Sequence, residues 1–137
     1  GEKEQSMLRC LPGELLEGVV FTGEVPEDSL SCLYSDADLY VSASLYEGFG
    51  LPFLEAMACG TPIVALKMPS LHEVVGDAGY IVEENSPEGF ADAVCNILSD
   101  VNKQRSLIEN GFKRVQMYSW KKTAIKTLEI YKEVSRA

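Results

Sequence analysis

The sequence predicts an α/β fold built on a parallel sheet, and three observations carry that prediction. Short apolar, β-branched runs alternate with helix-like stretches through the first eighty residues, the runs are largely apolar, as suits buried strands, and only helical patterns follow. Ser6 to Leu16 reads as a helix already under way. Val19–Thr22 is the first strand, closed by Gly23; Ser29–Tyr34 is a helix, Leu39–Ala43 a second strand and Pro52–Cys59 the next helix. Ile63–Leu66 and Tyr80–Val82 complete a set of four strands. Beyond Val82, Ser86-Pro87 reads as an N-cap and first helical residue, with Phe90, Val94, Ile97 and Leu98 on one face. Leu107, Ile108, Phe112 and Val115 form a second stripe, weakened by Gly111. Ser119 caps a last helix whose Trp120, Ala124, Leu128 and Tyr131 share a face, with Lys121, Lys122, Lys126 and Lys132 largely away from it.

Composition and charge exclude several function classes. The 137 residues are 46% apolar and 24% charged, enough for one domain with a real core. No apolar run is long enough to span a bilayer, and the opening residues lack the layout of a signal peptide. Lys and Arg number 12 against 21 Asp and Glu, a formal charge of −9, whereas a nucleic-acid groove needs the opposite field. Between Cys10 and Leu66 there is no Lys or Arg but nine acids, so this stretch carries the whole excess. An anion bound there must rely on backbone dipoles or on cations from elsewhere. Cys10, Cys32, Cys59 and Cys95 are too widely spaced for a zinc site; they read as small buried hydrophobes of a reducing cytoplasm.

The segment that carries chemistry is Ser44 to Pro62, which follows a strand and opens a helix. Gly48 and Gly50 permit a turn that hugs a ligand, Pro52 suits the first helical position, and Gly60 stops the helix. Free N–H groups and the positive helix end beside Gly50 and Leu51 make an anion site at the carboxyl end of a strand. Glu47 precedes the turn and Glu55 lies one turn inside the helix. A carboxylate only accepts hydrogen bonds and pairs well with neighbouring hydroxyls, so two of them flanking a phosphate cradle suit a ligand with phosphates between polyols, such as a sugar nucleotide. The alternative is plainer: Glu47 as a solvated turn acid and Glu55 as a helix acid favoured by the dipole.

The run Glu47-Gly-Phe-Gly-Leu-Pro-Phe-Leu-Glu55 resembles the E-x7-E signature of retaining glycosyltransferases of GT-B fold, glycosyltransferase family 4 (group 1). Phe21–Val25, Leu33–Leu39, Ala58–Val64, Glu73–Gly79 and Tyr131 extend the likeness along the chain. The resemblance implies a Rossmann-like parallel sheet with flanking helices, residues 1–137 forming part of a C-terminal nucleotide-sugar-binding domain. The N-terminal acceptor domain and the first strands of this domain are then expected elsewhere. It also implies that Glu55 holds the ribose hydroxyls, that Glu47 holds the donor sugar at the reacting centre, and that the backbone of Gly48, Phe49, Gly50 and Leu51 faces sugar and diphosphate. Val25 is implied near the base. The donor is a nucleoside diphosphate sugar, with no metal and no other cofactor required.

Partners on this reading are the nucleotide sugar and the acceptor domain, not nucleic acid. The location is cytoplasmic, with room for peripheral attachment at the inner face of a membrane. The cations for the diphosphate are absent from residues 10–66, so weak donor binding and no transfer are expected of the piece alone. A noncatalytic module of the same fold and a sugar-nucleotide epimerase are the competing readings. His72-Glu73 opens a zinc-helix pattern but position 76 is Gly, so the second histidine is absent and His72 reads as a solvent-facing loop residue. Glu73 reads as a loop or capping acid. Phe53 stands where a dinucleotide fingerprint needs its third glycine. Trp120 and Tyr131 read as core packing or as contacts to the acceptor domain.

Overall fold

The computed structural model describes residues 17–136, so the helix expected over Ser6–Leu16 and Cys10 lie outside the described residues. The chain divides into two compact units, Gly1–Leu30 and Ser31–Ala137. In the first, Val19–Thr22 is not the expected strand: it has no regular structure and Val20 is 84% exposed. A β-branched run is strand-prone, but a strand exists only where its amides and carbonyls find ladder partners, and these residues have none among those described.

From Glu27 onward the elements follow the predicted order: α1 (Glu27–Asp36), β1 (Tyr40–Ser42), α2 (Leu51–Ala58), β2 (Ile63–Leu66), α3 (Leu71–Val74), a 3-10 turn (Gly76–Ala78), β3 (Gly79–Val82), α4 (Pro87–Leu98), α5 (Val101–Val115) and α6 (Trp120–Val134). The sheet is parallel in the order β1-β2-β3, with Tyr40 opposite Ile63 and Ile63 opposite Gly79. Every residue of the central strand β2 is buried, which is why its sequence is apolar without alternation. The period-two geometry of that strand divides the core. Ile63 and Ala65 point into a cluster with Phe53, Met57, Leu71 and Val75, while Val64 points the other way to Val82, Ala93 and Ile97.

The helix ends are set by local chemistry that the sequence announces. Gly60, at φ 78°, ends α2 in a Schellman arrangement: the Gly60 N–H donates to Met57 O and the Thr61 N–H to Ala56 O. The side chains of Ser86, Asp100 and Ser119 cap α4, α5 and α6 by accepting from backbone N–H groups one turn on. Gly111 is no weakness in α5. It is buried against α2, and a Cβ there would lie 3.2 Å from Met57 Cγ, so its missing side chain sets how closely the two helices cross.

Three packing expectations are corrected. Cys32 and Cys95 are exposed, each falling off the core stripe of its helix despite apolar neighbours in sequence, and Cys59, which caps the end of α2, is half-buried. Leu98 and Phe112 are exposed, the stripes instead being completed by Ala93 and Gly111. No residue of α6 is buried: Trp120, Leu128 and Tyr131 face outward as an amphipathic but uncovered surface among the described residues.

Candidate functional site

The site is an elbow between β1 and α2. Gly50 caps α2 in the left-handed region (φ 96°, ψ 52°), and a Cβ on it would come within 2.6 Å of Phe53 Cδ2. Only glycine fits. Gly48 differs from expectation: its φ is not positive and nothing lies within 4 Å of where a Cβ would stand, so the fold itself does not require glycine there. Pro52 occupies the second helical position rather than the first, because α2 starts at Leu51; an N–H there would also lack an intrahelical partner. No side chain caps α2, and the amides of Gly48, Phe49, Gly50 and Leu51 have no acceptor among the described residues. Of these donors, Gly50 and Leu51 stand at the positive end of α2, the kind of position that binds anions, and Gly48 and Phe49 come just before it.

Beneath the elbow runs an aromatic stack. Phe53 packs edge-on against Tyr40 (5.8 Å between centroids), and Tyr40 against Tyr34 at the same distance. The Tyr34 hydroxyl donates to Glu55 Oε2 (3.1 Å), and Thr61 Oγ1 donates to the Tyr34 carbonyl (2.5 Å). Glu47 is half-buried, and its carbonyl accepts from Ser70 Oγ (3.0 Å), which ties the start of the elbow to the turn before α3. Both carboxylates bear on the Tyr40 phenol: burial raises its pKa first, then the negative charge of Glu47, and more weakly that of Glu55. By contact, Glu55 is tied to Tyr34 through its hydrogen bond, and Tyr34 in turn packs on Tyr40. Tyr34 and Tyr40 were not singled out by sequence reasoning for any role; the available signal was an aromatic in the segments before and within β1.

The Tyr34 phenol is also pushed well above the ordinary range near 10, chiefly by burial and then by its bond to Glu55. Since both phenols hold their protons more tightly in the folded chain, the unfolded chain ionises first as pH rises. The corresponding stability is intact below pH ~10 and is lost progressively above it. A spectroscopic phenolate titration is expected to show Tyr34 and Tyr40 as late components, the latest removed by Tyr34→Phe. A profile unchanged by that substitution would contradict the assignment.

On its outer side the elbow leans on the end of α5. The Phe49 ring meets Tyr118 edge-on at 5.7 Å, and the Tyr118 hydroxyl donates to the Glu73 carbonyl (2.7 Å). Arg114 donates through Nε to the Val74 carbonyl (3.0 Å) and through Nη2 to that of Glu73. Glu73 thus serves through its main chain, while its side chain is exposed. It lies within α3, as does His72, which faces solvent as expected but from a helical turn rather than a loop. A cavity of about 500 Å³ opens beside the elbow, lined mainly by apolar groups of Phe49, Leu51, Leu54, Tyr118 and Trp120, with Glu55 the one acid. Val25 lies in the other compact unit, half-buried in irregular chain before α1.

Comparison with known proteins gives consistent matches. The family described as "Glycosyl transferases group 1" matches residues 1–114. The O-antigen chain mannosyltransferase B of Escherichia coli is 38% identical over 112 residues, 82% of this chain and 29% of that protein. The phosphatidyl-myo-inositol mannosyltransferase of Mycolicibacterium smegmatis is 31% identical over 140 residues, covering 100% of this chain and 36% of its own. Among solved structures, sucrose-phosphate synthase from Thermosynechococcus elongatus superposes with a TM-score of 0.85 at 33% identity, covering 98% of this chain and 35% of the synthase. The chain thus spans about a third of the length of the proteins it matches.

Proposed function

Because the chain belongs to the group 1 glycosyl transferases, we propose that its elbow is the donor side of a retaining glycosyltransferase that moves a hexose from a nucleoside diphosphate sugar to an acceptor hydroxyl in glycoconjugate or polysaccharide assembly. The supporting observation is one juxtaposition: the amides of residues 48–51, without acceptors among the described residues, lead through the left-handed Gly50 into the N-terminus of α2, with Glu47 just before them and Glu55, held by Tyr34, one turn beyond. On this reading the amides of Gly48, Phe49, Gly50 and Leu51 take the diphosphate and the sugar edge. Glu55 accepts from the ribose hydroxyls, and Glu47 accepts from the sugar hydroxyls and sets its pose. No metal is invoked.

The reaction breaks the bond between the anomeric carbon and the phosphate oxygen and forms one from that carbon to the acceptor oxygen, on the same face. The acceptor proton leaves on the departing phosphate. Negative charge grows on that phosphate as the bond breaks, so donors fixed in advance at the helix end stabilise the transition state more than the ground state. Glu47 is a positioning acid rather than a nucleophile here. Residues 10–66 offer no Lys or Arg, so the remaining countercharge comes from other segments, and the acceptor site from a domain beyond residues 1–137. The reaction is assigned to the cytoplasm.

The test is a panel of nucleoside diphosphate sugars against the full-length protein, read by calorimetry and product analysis. One donor is expected to bind and to yield a joined sugar of unchanged anomeric configuration. Return of an isomeric nucleotide sugar would favour an epimerase, and failure to bind any nucleoside diphosphate would leave a noncatalytic module.

A further inference from the structure

Among the described residues, Glu55 is the one acid of the elbow whose carboxylate is held by another side chain. The Tyr34 hydroxyl donates to its Oε2 at 3.1 Å, and a carboxylate on an outer helix face would otherwise sample several rotamers. Tyr34 is anchored at both ends. Its carbonyl accepts from the buried Thr61 side chain, which follows directly on the glycine stop of α2, and its ring packs edge-on against Tyr40, which packs on Phe53. Phe53 is the residue lying under Gly50. One continuous stack therefore connects the backbone turn that presents the amides to the hydroxyl that orients Glu55.

From this geometry we infer that Tyr34 is a positioning residue that fixes the Glu55 carboxylate for discrimination between ribose and deoxyribose in the nucleotide. The inference rests on the proposed donor site. With a proton donor on Oε2, Oε1 and the second lone pair of Oε2 remain to accept from two neighbouring hydroxyls of the ligand. Without Tyr34 the carboxylate can still reach a hydroxyl, but it must be ordered at the moment of binding, and that ordering weakens the contact.

The experiment compares binding of a ribonucleoside diphosphate and its 2′-deoxy counterpart to the full-length protein, for wild type, Tyr34→Phe, Glu55→Ala and the double variant. Phenylalanine keeps the ring and its stacking, so the fold is retained, and a thermal melt checks this. Wild type is expected to prefer the ribonucleotide, and Tyr34→Phe to cut that preference about three- to tenfold, the net worth of an ordinary hydrogen bond open to solvent. Glu55→Ala is expected to abolish the preference, with nothing further lost in the double variant. A general loss of stability would weaken both ligands alike and leave their ratio unchanged. If Glu55→Ala abolishes the preference while Tyr34→Phe leaves it at the wild-type ratio, the role of Tyr34 is overturned and the donor site stands. If Glu55→Ala also leaves it intact, the assignment of Glu55 falls and takes this inference with it.

Discussion

Gly50→Ala is expected to destabilise the protein by about 2–5 kcal/mol, a large share of the ~5–15 kcal/mol that holds a domain of this size folded. Two penalties combine. A non-glycine residue at φ 96° carries backbone strain, and the added methyl would stand 2.6 Å from Phe53 Cδ2. The ring has little room to retreat, since Phe53 is buried and wedged against Tyr40. Urea unfolding followed by circular dichroism should show the loss as a lowered midpoint. Gly48→Ala supplies the contrast: its Cβ meets open space, so stability should stay within about 0.5 kcal/mol, while any weakening of donor binding there reports on how closely a ligand approaches. Equal midpoints for the wild type and Gly50→Ala would show that the elbow relaxes freely, and the site geometry argued from it would fail.

The second large effect is expected from the acids, and the two should fail differently. Glu47→Ala in the full-length enzyme is expected to lower kcat about 100-fold with little change in donor KM, because a misplaced sugar forfeits interactions gained as the bond breaks. Glu55→Ala is expected to raise donor KM about tenfold or more with a smaller change in kcat, since its partners are remote from the reacting carbon. Steady-state kinetics over a range of donor concentration separate the cases. Wild-type turnover in both variants would return Glu47 to a turn acid and Glu55 to a helix acid.

Much of this arrangement is legible in residue order. The parallel sheet is readable because β2 is apolar in every residue, two helix starts because Ser86 and Ser119 are good caps, and the stop of α2 because Gly60 precedes Thr61 and Pro62, whereas the Asp100 cap of α5 emerges only from the structure. Where expectation and structure part, a tertiary partner decides. Val19–Thr22 has strand propensity but no ladder partner among the described residues, and Gly111 looks like a helix flaw until Met57 is seen against it. Cys32 and Cys95 have apolar sequence neighbours yet sit on outward arcs of their helices. At the candidate site, Glu47 to Glu55 stand in one contiguous run, which is why the sequence offers them as a unit. Tyr34, Ser70 and Tyr118 touch that run from distant positions, the Phe49–Tyr118 contact bridging 69 of them (118 − 49), Tyr40 packs beneath it and Arg114 steadies the neighbouring α3, and no local spacing announces them.

The sequence contains a single tryptophan, and it opens α6 with 76% of its surface in water while lining the cavity next to Phe49 and Leu51. All indole emission from residues 1–137 thus originates at one rim of the elbow. The chain carries an intrinsic optical gauge there: whatever displaces solvent from that rim, whether substrate or another stretch of protein, registers as a change in colour or intensity without any dye attached.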